Sequence, residues 1–408
     1  MTGQKYELYS SAFRERTHEA YSTMREHDPV FCQPGLDGET PIWFVTRHED
    51  VVAVLLDDKP FVLDPQLALT AEEWEQMKAA QAFQVDPRVS THLLAKDGED
   101  HRRLRRLVTK AFTPRIVEAL APRIEAIANE LLDAVEEQGQ MDLVDDYAFP
   151  LPIIVICELL GIPVEDRDRF RAWSDAFVSP ALAAEDQERF VAYMEAFLAY
   201  LHDLFARRRE APGDDLVSAL VQAGEEGDSL SEEELFSMVV LLIVAGHETT
   251  VSLIGNAVLA LLTHPEQLDE VRSDPECLRA AVEELLRFDS PVERALTRWA
   301  AEDVELGGES IGRGDLVIAV LGSANRDGTQ FERADALDVK RDDTKHLAFG
   351  RGSHYCLGAP LARLEGEIAL RTLFERFPDL RLAVEPVSLE YRPVPLFRSL
   401  VSLPVAWG

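Results

Sequence analysis

The decapeptide FGRGSHYCLG, Phe349 to Gly358, places one cysteine, Cys356, in a glycine-rich turn, and the helix-like run LGAPLARLEGEIALRTLFERF follows. A thiolate at the start of a helix is stabilised by free backbone N–H groups and by the helix dipole. Such a sulfur is a natural axial ligand for haem iron. Gly350 and Gly352 are expected to let the backbone approach a flat macrocycle where a Cβ would clash. The alternative is a buried structural cysteine.

The bulk composition narrows the class of protein. The 408 residues include 41 Lys or Arg and 74 Asp or Glu, a formal charge of −33, which disfavours nucleic-acid and anionic-lipid partners. Four scattered cysteines without CxxC or zinc spacing favour a reducing, cytoplasmic compartment. The N-terminus lacks the apolar region of a signal peptide, and the longest apolar run, Met238–Ala245, is too short for a membrane span. Without a flavin motif or a cysteine cluster, the electrons for haem chemistry must come from a separate protein.

Apolar residues at three- and four-residue steps predict a mainly helical fold with a small β-rich side. Helices are predicted at Phe13–Glu26, Thr70–Gln81, Glu99–Ala111, Pro114–Glu137, Leu151–Leu160, Glu165–Ser179, Asp186–Arg208, Leu216–Ala223, Ser231–Leu262, Pro265–Ser273, Glu276–Phe288 and Cys356–Phe377. Strands are predicted at Ile42–Val45, Trp299–Val304, Leu316–Leu321 and near the C-terminus. Repeats and flexible linkers are absent from the sequence, so a single domain over residues 1–408 is expected.

The segment Ser231–Leu262 is predicted to cross the core as one helix, because its middle is apolar and Ser231 and Glu234 form a capping box. In that middle, residues 245–250 read AGHETT. A buried carboxylate such as Glu248 costs free energy unless it is paired or used. A purely structural alternative is that threonine hydroxyls bond back to the preceding turn and bend the helix.

Together these stretches resemble the cytochrome P450 family. Five residues of the cysteine loop match its diagnostic positions: Phe349, Gly352, His354, Cys356 and Gly358. The resemblance implies a triangular helical prism, with haem b between the long central helix and the cysteine-ligand loop. It implies that Cys356 ligates the iron and that Thr249 holds a hydroxyl and water beside bound O2. It further implies that Glu248 relays protons and that Ala245 and Gly246 leave room for O2, while His247 faces away from the haem.

The resemblance also assigns the supporting residues. Haem-propionate partners are expected at His101, Arg105, Arg298 and His354, and further cofactor contacts at Ala245, Phe349 and Gly358. A solvated helix face is the alternative for the basic pair His101 and Arg105. Glu284 and Arg287 resemble the family's structural ExxR pair. Gly328 replaces a usual proline and Ala336 stands where an arginine commonly completes that network, so its third member is left unassigned.

Electron transfer is expected to use a ferredoxin and a NAD(P)H-driven ferredoxin reductase. A basic cluster on one helix and in the cysteine loop would steer the acidic ferredoxin to the sulfur side of the haem: Arg102, Arg103, Arg106, Lys110 and Arg351. Ordinary helix-surface charge is the alternative.

The resemblance places the substrate pocket among Asp64–Leu94, Phe170–Tyr200, Leu242–Glu248, Val292–Leu296 and Val394–Phe397. Apolar residues available there are Phe83, Val85, Phe177, Val292, Leu296 and Phe397, and Glu248 and Glu293 could add negative points. The expected reaction inserts one oxygen atom from O2 into a C–H bond or alkene of a largely apolar secondary metabolite, such as a macrolide.

Other reactions and functions stay open alongside this one. Fatty acids, terpenoids and xenobiotics are alternative substrates for the same chemistry. A peroxygenase usually lacks an acid–alcohol pair such as Glu248 and Thr249, and a non-catalytic haem carrier does not need the AGHETT helix. A cysteine hydrolase is disfavoured because His354 lies only two residues from Cys356 and no oriented base is evident.

Overall fold

The structure is a computed structural model. It describes residues 5–80, 87–163, 166, 169–170, 172–173, 184–222, 229–274, 277–342 and 345–408. Most of the helix predicted at Glu165–Ser179 lies outside these residues, as do the pocket residues Phe83, Val85 and Phe177.

Helices dominate the described part of the chain, as the sequence predicts. They are α1 Ser11–Glu15, α2 Thr17–His27, α3 His48–Leu56, α4 Ala71–Ala80, α5 Pro87–Ser90, α6 Gly98–Ala111, α7 Pro114–Ala119, α8 Ala121–Asp133, α9 Pro150–Leu160, α10 Ala184–Glu210, α11 Leu216–Gln222, α12 Glu232–Thr263, α13 Pro265–Ser273, α14 Cys277–Phe288, α15 Leu321–Ala324 and α16 Ala359–Arg376. Short 3₁₀ turns lie at Pro65–Leu67, Leu93–Ala95, Glu136–Gln138, Gly352–His354 and Pro386–Ser388, and a π turn lies at Val144–Ala148.

Two predicted helices are divided in the structure. Arg16, at φ −119° and ψ 28°, separates α1 from α2 within the predicted Phe13–Glu26 helix. The predicted Pro114–Glu137 helix is broken between α7 and α8, where Pro122 lies in the first turn of α8. Proline has no N–H to continue the hydrogen-bond ladder from α7. The helix predicted from Cys356 begins instead at Ala359, which leaves the cysteine in the preceding turn.

Three small sheets form the β-rich side. Their strands are β1 Val30–Pro34, β2 Pro41–Val45, β3 Phe61–Val62, β4 Gln140–Asp142, β5 Arg298–Ala300, β6 Val304–Leu306, β7 Glu309–Ile311, β8 Leu316–Ala319, β9 Arg381–Leu382 and β10 Pro404–Ala406. The largest sheet has the order β1-β2-β8-β5-β3, with β2 and β8 parallel and Ile42 opposite Leu316. The others have the orders β4-β10-β9 and β6-β7. The predicted Trp299–Val304 strand is two strands, β5 and β6.

Helix α12 crosses the largest hydrophobic core. The predicted capping box forms, with Ser231 Oγ accepting from Glu234 N and the Glu234 carboxylate accepting from Ser231 N, and His264 caps the other end. Among the described residues this is the one helix long and apolar enough to span a membrane, and 67% of its apolar stretch is buried within the protein. The long apolar stretch of α12 is therefore explained by its burial in the protein core.

Helix α16 carries the turn of Cys356 against this core. It contacts α8, α12 and α14. A Cβ on Gly366 would lie 2.9 Å from a methyl carbon of Leu253, so glycine allows α16 to approach α12 closely. The cysteine loop is supported on its other side by α3.

Candidate active site

Backbone hydrogen bonds define the cysteine loop. Cys356 N donates to the Phe349 carbonyl at 3.0 Å. Gly350 and Gly352 both adopt left-handed backbone, with φ of 67° and 78°. A Cβ on Gly352 would lie 2.6 Å from the carbonyl oxygen of Leu55 in α3. The left-handed backbone explains both glycines, and the contact with α3 is a further reason at Gly352. That they also give clearance for a macrocycle stays a prediction.

The groups around the Cys356 sulfur shift the pKa of its thiol in opposite directions. Burial raises the pKa of the thiol, while the backbone N–H groups of Gly358 and Ala359 and the cations Arg105 and Arg363 lower it. The raising effect prevails, so the helix start alone does not hold a thiolate. Coordination to a metal ion deprotonates a thiol outright. The amides and cations then favour the charged sulfur.

The predicted cofactor contact Phe349 is fixed by an ion-pair network behind the loop. The Arg363 guanidinium lies 4.5 Å from the centre of the Phe349 ring. Arg363 also donates to both oxygens of Glu283, at 2.5 and 2.9 Å, and His346 Nε2 lies 3.1 Å from the same carboxylate. The network joins α14 to the loop and to α16.

Two histidines from distant parts of the sequence meet beside the loop. The rings of His101 in α6 and His354 are 4.0 Å apart, and His354 Nε2 lies 3.1 Å from Asp97 Oδ1. His101 Nε2 and His354 Nδ1 are buried and have no hydrogen-bond partner within the described residues. Burial, His354 and Arg105 lower the pKa of His101 to about 4.

Two arginines complete this cluster. Arg105 donates from Nη2 to the Tyr355 carbonyl at 2.7 Å. Arg298, which is buried at the start of β5, donates from Nη1 to the Phe61 carbonyl at 2.9 Å. Burial lowers the pKa of Arg298, and Asp97 partly offsets this. The structure therefore brings all four predicted propionate partners together around Asp97 and the cysteine loop.

The chemistry of this cluster fits a cofactor that carries carboxylates. Burying polar nitrogen atoms without partners costs free energy, and such atoms commonly mark a missing ligand or ion. His101 and His354 can donate to anionic oxygens, and Arg105 and Arg298 supply positive charge. With the Cys356 sulfur adjacent, the residues present fit a haem.

The predicted oxygen-side residues lie on α12. Ala245 is exposed and Thr249 is half-buried, although the helix crosses the core, so this stretch borders an open space. Thr249 Oγ1 donates to the Ala245 carbonyl at 2.9 Å, which is the back-bond of the purely structural alternative. Gly246 instead faces α9, because a Cβ there would lie 3.2 Å from Ile156. The expectation that Gly246 leaves room for O2 is therefore wrong, because its missing side chain is used for helix packing.

Glu248 is buried between two basic side chains. Its Oε1 lies 3.1 Å from His247 Nε2 and 4.0 Å from Arg392 Nη1. Burial alone would raise the pKa of Glu248, but these two neighbours lower it below the ordinary value. His247 packs edge-on against Phe149 on the α9 side of the helix.

The ExxR pair is closed and fully buried. Arg287 donates from Nε and Nη2 to the two oxygens of Glu284, at 2.7 and 2.8 Å, and from Nη1 to the carbonyls of Asn325 and Ala334. Arg341 completes the network by donating from Nε to Glu284 at 3.0 Å. The third member left unassigned by Ala336 is thus supplied five residues later.

Sequence reasoning missed several further polar residues at the site. Asp97 precedes α6 and looks like a helix cap, but its side chain orients His354 and accepts from the backbone N–H groups of Leu63 and Asp64. Glu365 in α16 accepts from Thr250 Oγ1 at 3.4 Å, and burial raises its pKa to about 8. The sequence gives no signal for these pairings, because the partners are far apart along the chain.

Two of the predicted pocket segments are neighbours in the structure. Val292 pairs with Phe397, so the stretches 292–296 and 394–397 are neighbours. Glu293, expected as a negative point in the pocket, is buried and bonded to Arg14 at 3.0 Å. Its charge is used to attach the N-terminal helix, because an unpaired buried carboxylate would be costly.

The basic cluster is only partly as expected. Arg102, Arg105, Arg106 and Thr109 line an open cleft of about 470 Å³. Arg103 turns away from the cleft and bonds to Glu234 and to the Ser229 carbonyl, because it lies on another side of α6. Arg351 is exposed, and the side chain of Lys110 lies outside the described residues.

Comparisons with known proteins agree with this geometry. The family model "Cytochrome P450" matches residues 164–386. Cytochrome P450 107B1 of Saccharopolyspora erythraea is 45% identical, with 100% of this chain and 99% of that protein covered. The 6-deoxyerythronolide B hydroxylase of the same organism is 42% identical, with 98% of each chain covered. The crystal structure of myxobacterial cytochrome P450 CYP267B1 in complex with myristic acid has a TM-score of 0.92 at 40% identity, covering 99% of this chain and 100% of that one.

This chain belongs to the cytochrome P450 family. It is an oxidoreductase of the monooxygenase class, whose cofactor is a haem iron and which works with O2 and a redox partner. The predicted fold, a mainly helical P450 fold with a small β-rich side, is confirmed.

Proposed function

We propose that this protein is a cytoplasmic monooxygenase that inserts one oxygen atom from O2 into a C–H bond or alkene of a macrolide-like secondary metabolite. The observation that carries the proposal is that Cys356 lies beside histidine nitrogens with no partner among the described residues, near a core helix on which Ala245 is exposed and Thr249 half-buried. The similarity to the 6-deoxyerythronolide B hydroxylase supports this substrate class, because that relative is a macrolide hydroxylase. Residues 1–408 would act as one domain.

The cofactor is proposed to be haem b, with Cys356 as the iron ligand. His101, Arg105, Arg298 and His354 would hold its two carboxylates, because they are the buried donors and cations beside the loop. Phe349, Gly358 and Ala245 would contact the macrocycle. When bound, the haem supplies an iron that binds and activates O2.

Thr249 and Glu248 are proposed to manage protons on the oxygen side. The Thr249 hydroxyl lies on the open face of α12 and can hold water by hydrogen bonding there. Glu248, with its pKa lowered by His247 and Arg392, is ionised at neutral pH and can accept a proton from solvent and pass it on. Two protons are required for each O2 cleaved.

The redox partner is proposed to be a ferredoxin, reduced by a NAD(P)H-dependent reductase. The cleft lined by Arg102, Arg105 and Arg106 supports this, because it concentrates positive charge beside the cysteine loop of a protein with a net charge of −33. A second substrate class, fatty acids, is favoured by the structural relative in complex with myristic acid.

The test is the absorption spectrum of the reduced carbon monoxide adduct. Wild-type protein is expected to show the red-shifted Soret band of a thiolate-ligated haem, and Cys356→Ser is expected to lose it along with product formation. The same band in the Cys356→Ser protein would overturn the assignment. Titration with macrolides and with fatty acids, read by the haem spin-state shift, separates the two substrate classes.

A further inference from the structure

The acid on the core helix is held by a residue outside that helix. Glu248 is 2% exposed, and its Oε1 has no hydrogen-bond partner among the described residues. A buried carboxylate without a bonded partner is expensive and is retained only when a nearby cation stabilises it. Two basic side chains are close enough to do so, His247 and Arg392.

His247 is the nearer of these two candidates, with its Nε2 3.1 Å from Glu248 Oε1. Its Nδ1 lies 3.3 Å from the Ile243 carbonyl, so the ring lies between the backbone of its own helix and the Glu248 carboxylate. A histidine ring carries a positive charge only when both of its nitrogens are protonated. Arginine carries its charge at every physiological pH. The permanent cation beside Glu248 is therefore Arg392.

Arg392 reaches Glu248 from the C-terminal hairpin, residues 391–400. Tyr391 pairs with Leu400, and Arg392 N donates to the Ser399 carbonyl at 2.8 Å. The Arg392 side chain is 27% exposed, so it extends from solvent to the buried carboxylate. The pairing therefore joins a surface-accessible hairpin to the interior of α12.

The hairpin itself is fixed in place by the N-terminal helix. Arg14 donates to the carbonyls of Val394 and Phe397, at 2.6 and 3.3 Å. Glu293 N donates to the Leu396 carbonyl at 3.0 Å. Because its tip is anchored at these points, the hairpin can hold the Arg392 guanidinium at a fixed place relative to α12.

We propose that Arg392 is a positioning residue that keeps the Glu248 carboxylate charged inside the core helix. This inference rests on the proposed function, in which Glu248 relays protons. Arg392 does not contact the reacting atoms and acts only through Glu248. Its 4.0 Å separation, without a hydrogen bond, leaves the carboxylate able to turn toward a proton donor.

The titration of Glu248 itself provides the test. The carboxyl stretching band of protonated Glu248 is measured against pH by infrared difference spectroscopy, each protein being compared with its Glu248→Gln counterpart. Arg392→Gln is expected to raise the pKa of Glu248 by about one unit, since an opposite charge is lost, while His247 is unchanged. Arg392→Lys, which keeps the charge, is expected to titrate close to wild type.

Arg376→Gln is the matched control. It removes one arginine charge at a site of similar exposure, 24%, where the partners are Asp133 and Glu136 rather than Glu248. Its Glu248 midpoint should equal that of wild type. Equal midpoints in Arg392→Gln and wild type would overturn the inference.

The catalytic readout separates this inference from the proposed function. The amount of product formed per NADPH consumed is measured against pH. The pH at which this ratio changes on the acid side should rise in Arg392→Gln by about one unit, as the infrared midpoint does. If Glu248→Gln leaves this ratio unchanged, the proton role of Glu248 fails. A shifted infrared midpoint in Arg392→Gln still supports the positioning role in that case.

Discussion

Two buried charged clusters flank the cysteine loop. They differ in whether their hydrogen-bonding groups all have partners, a closed cluster, or leave some without one, an open cluster. In the ExxR cluster, Glu284, Arg287 and Arg341 bond to one another and to backbone carbonyls. In the histidine cluster, His101 Nε2 and His354 Nδ1 have no partner among the described residues. Both are polar groups in the interior, yet only the first is satisfied by the protein alone.

The contrast distinguishes structural support from binding. A closed network joins the segments it touches, and removing one member leaves an uncompensated buried charge. An open cluster costs the protein free energy until a ligand supplies the missing partners. The ExxR network therefore supports the fold, and the histidine cluster is suited to hold a cofactor.

The largest expected effect is on the closed cluster. Arg287→Ala is expected to lower the free energy of unfolding by about 3–5 kcal/mol, because buried Glu284 keeps only Arg341 as its cation and the carbonyls of Asn325 and Ala334 lose their donor. Arg279→Ala on the same helix is the matched control, since Arg279 is 84% exposed and pairs only with Glu367 among the described residues. That control should cost no more than about 1 kcal/mol in urea denaturation. Equal losses in both variants would remove the distinction between the clusters.

The next largest effect concerns the open cluster, where a substitution is expected to weaken cofactor binding without destabilising the haem-free protein. His101→Leu removes an unpartnered buried nitrogen, so the haem-free protein should unfold at the same urea concentration as wild type or a higher one. Haem affinity should fall by about 10- to 100-fold, because a hydrogen bond to a charged carboxylate is lost. Haem transfer to apomyoglobin measures this loss. His202→Leu, at an exposed histidine, is the control. Transfer at the wild-type rate from His101→Leu would contradict a cofactor role for the cluster.

The smallest effect is expected at the exposed cleft next to the open cluster. Arg102→Glu combined with Arg106→Glu should slow reduction by an acidic ferredoxin about 10-fold at low ionic strength, with the difference shrinking as salt screens the charges. Stopped-flow formation of the ferrous–CO complex follows the rate, and substrate binding should not change. Arg207→Glu combined with Arg209→Glu, at exposed positions at the end of α10, changes the net charge by the same amount and is the control. An unchanged rate at low salt would count against ferredoxin docking at this cleft.

Much of the fold was accessible from local patterns. The apolar middle and capping box of Ser231–Leu262 predict α12 almost to the residue, because capping and periodicity act over a few neighbouring positions. Helix breaks were harder to predict, and Arg16 and Pro122 divide patterns that look continuous. The four propionate candidates were chosen by resemblance, and the structure brings them together; their role in binding stays a prediction.

Local sequence patterns were enough to place Cys356 in a glycine-rich turn before a helix and AGHETT in the middle of a core helix. Both follow from interactions within a few residues. The packing of the folded chain brings His101 against His354, lets Arg341 complete the ExxR network, and places Arg392 near Glu248. Each of these pairs joins segments 57 to 253 residues apart, and their contact depends on how whole helices pack rather than on any local pattern.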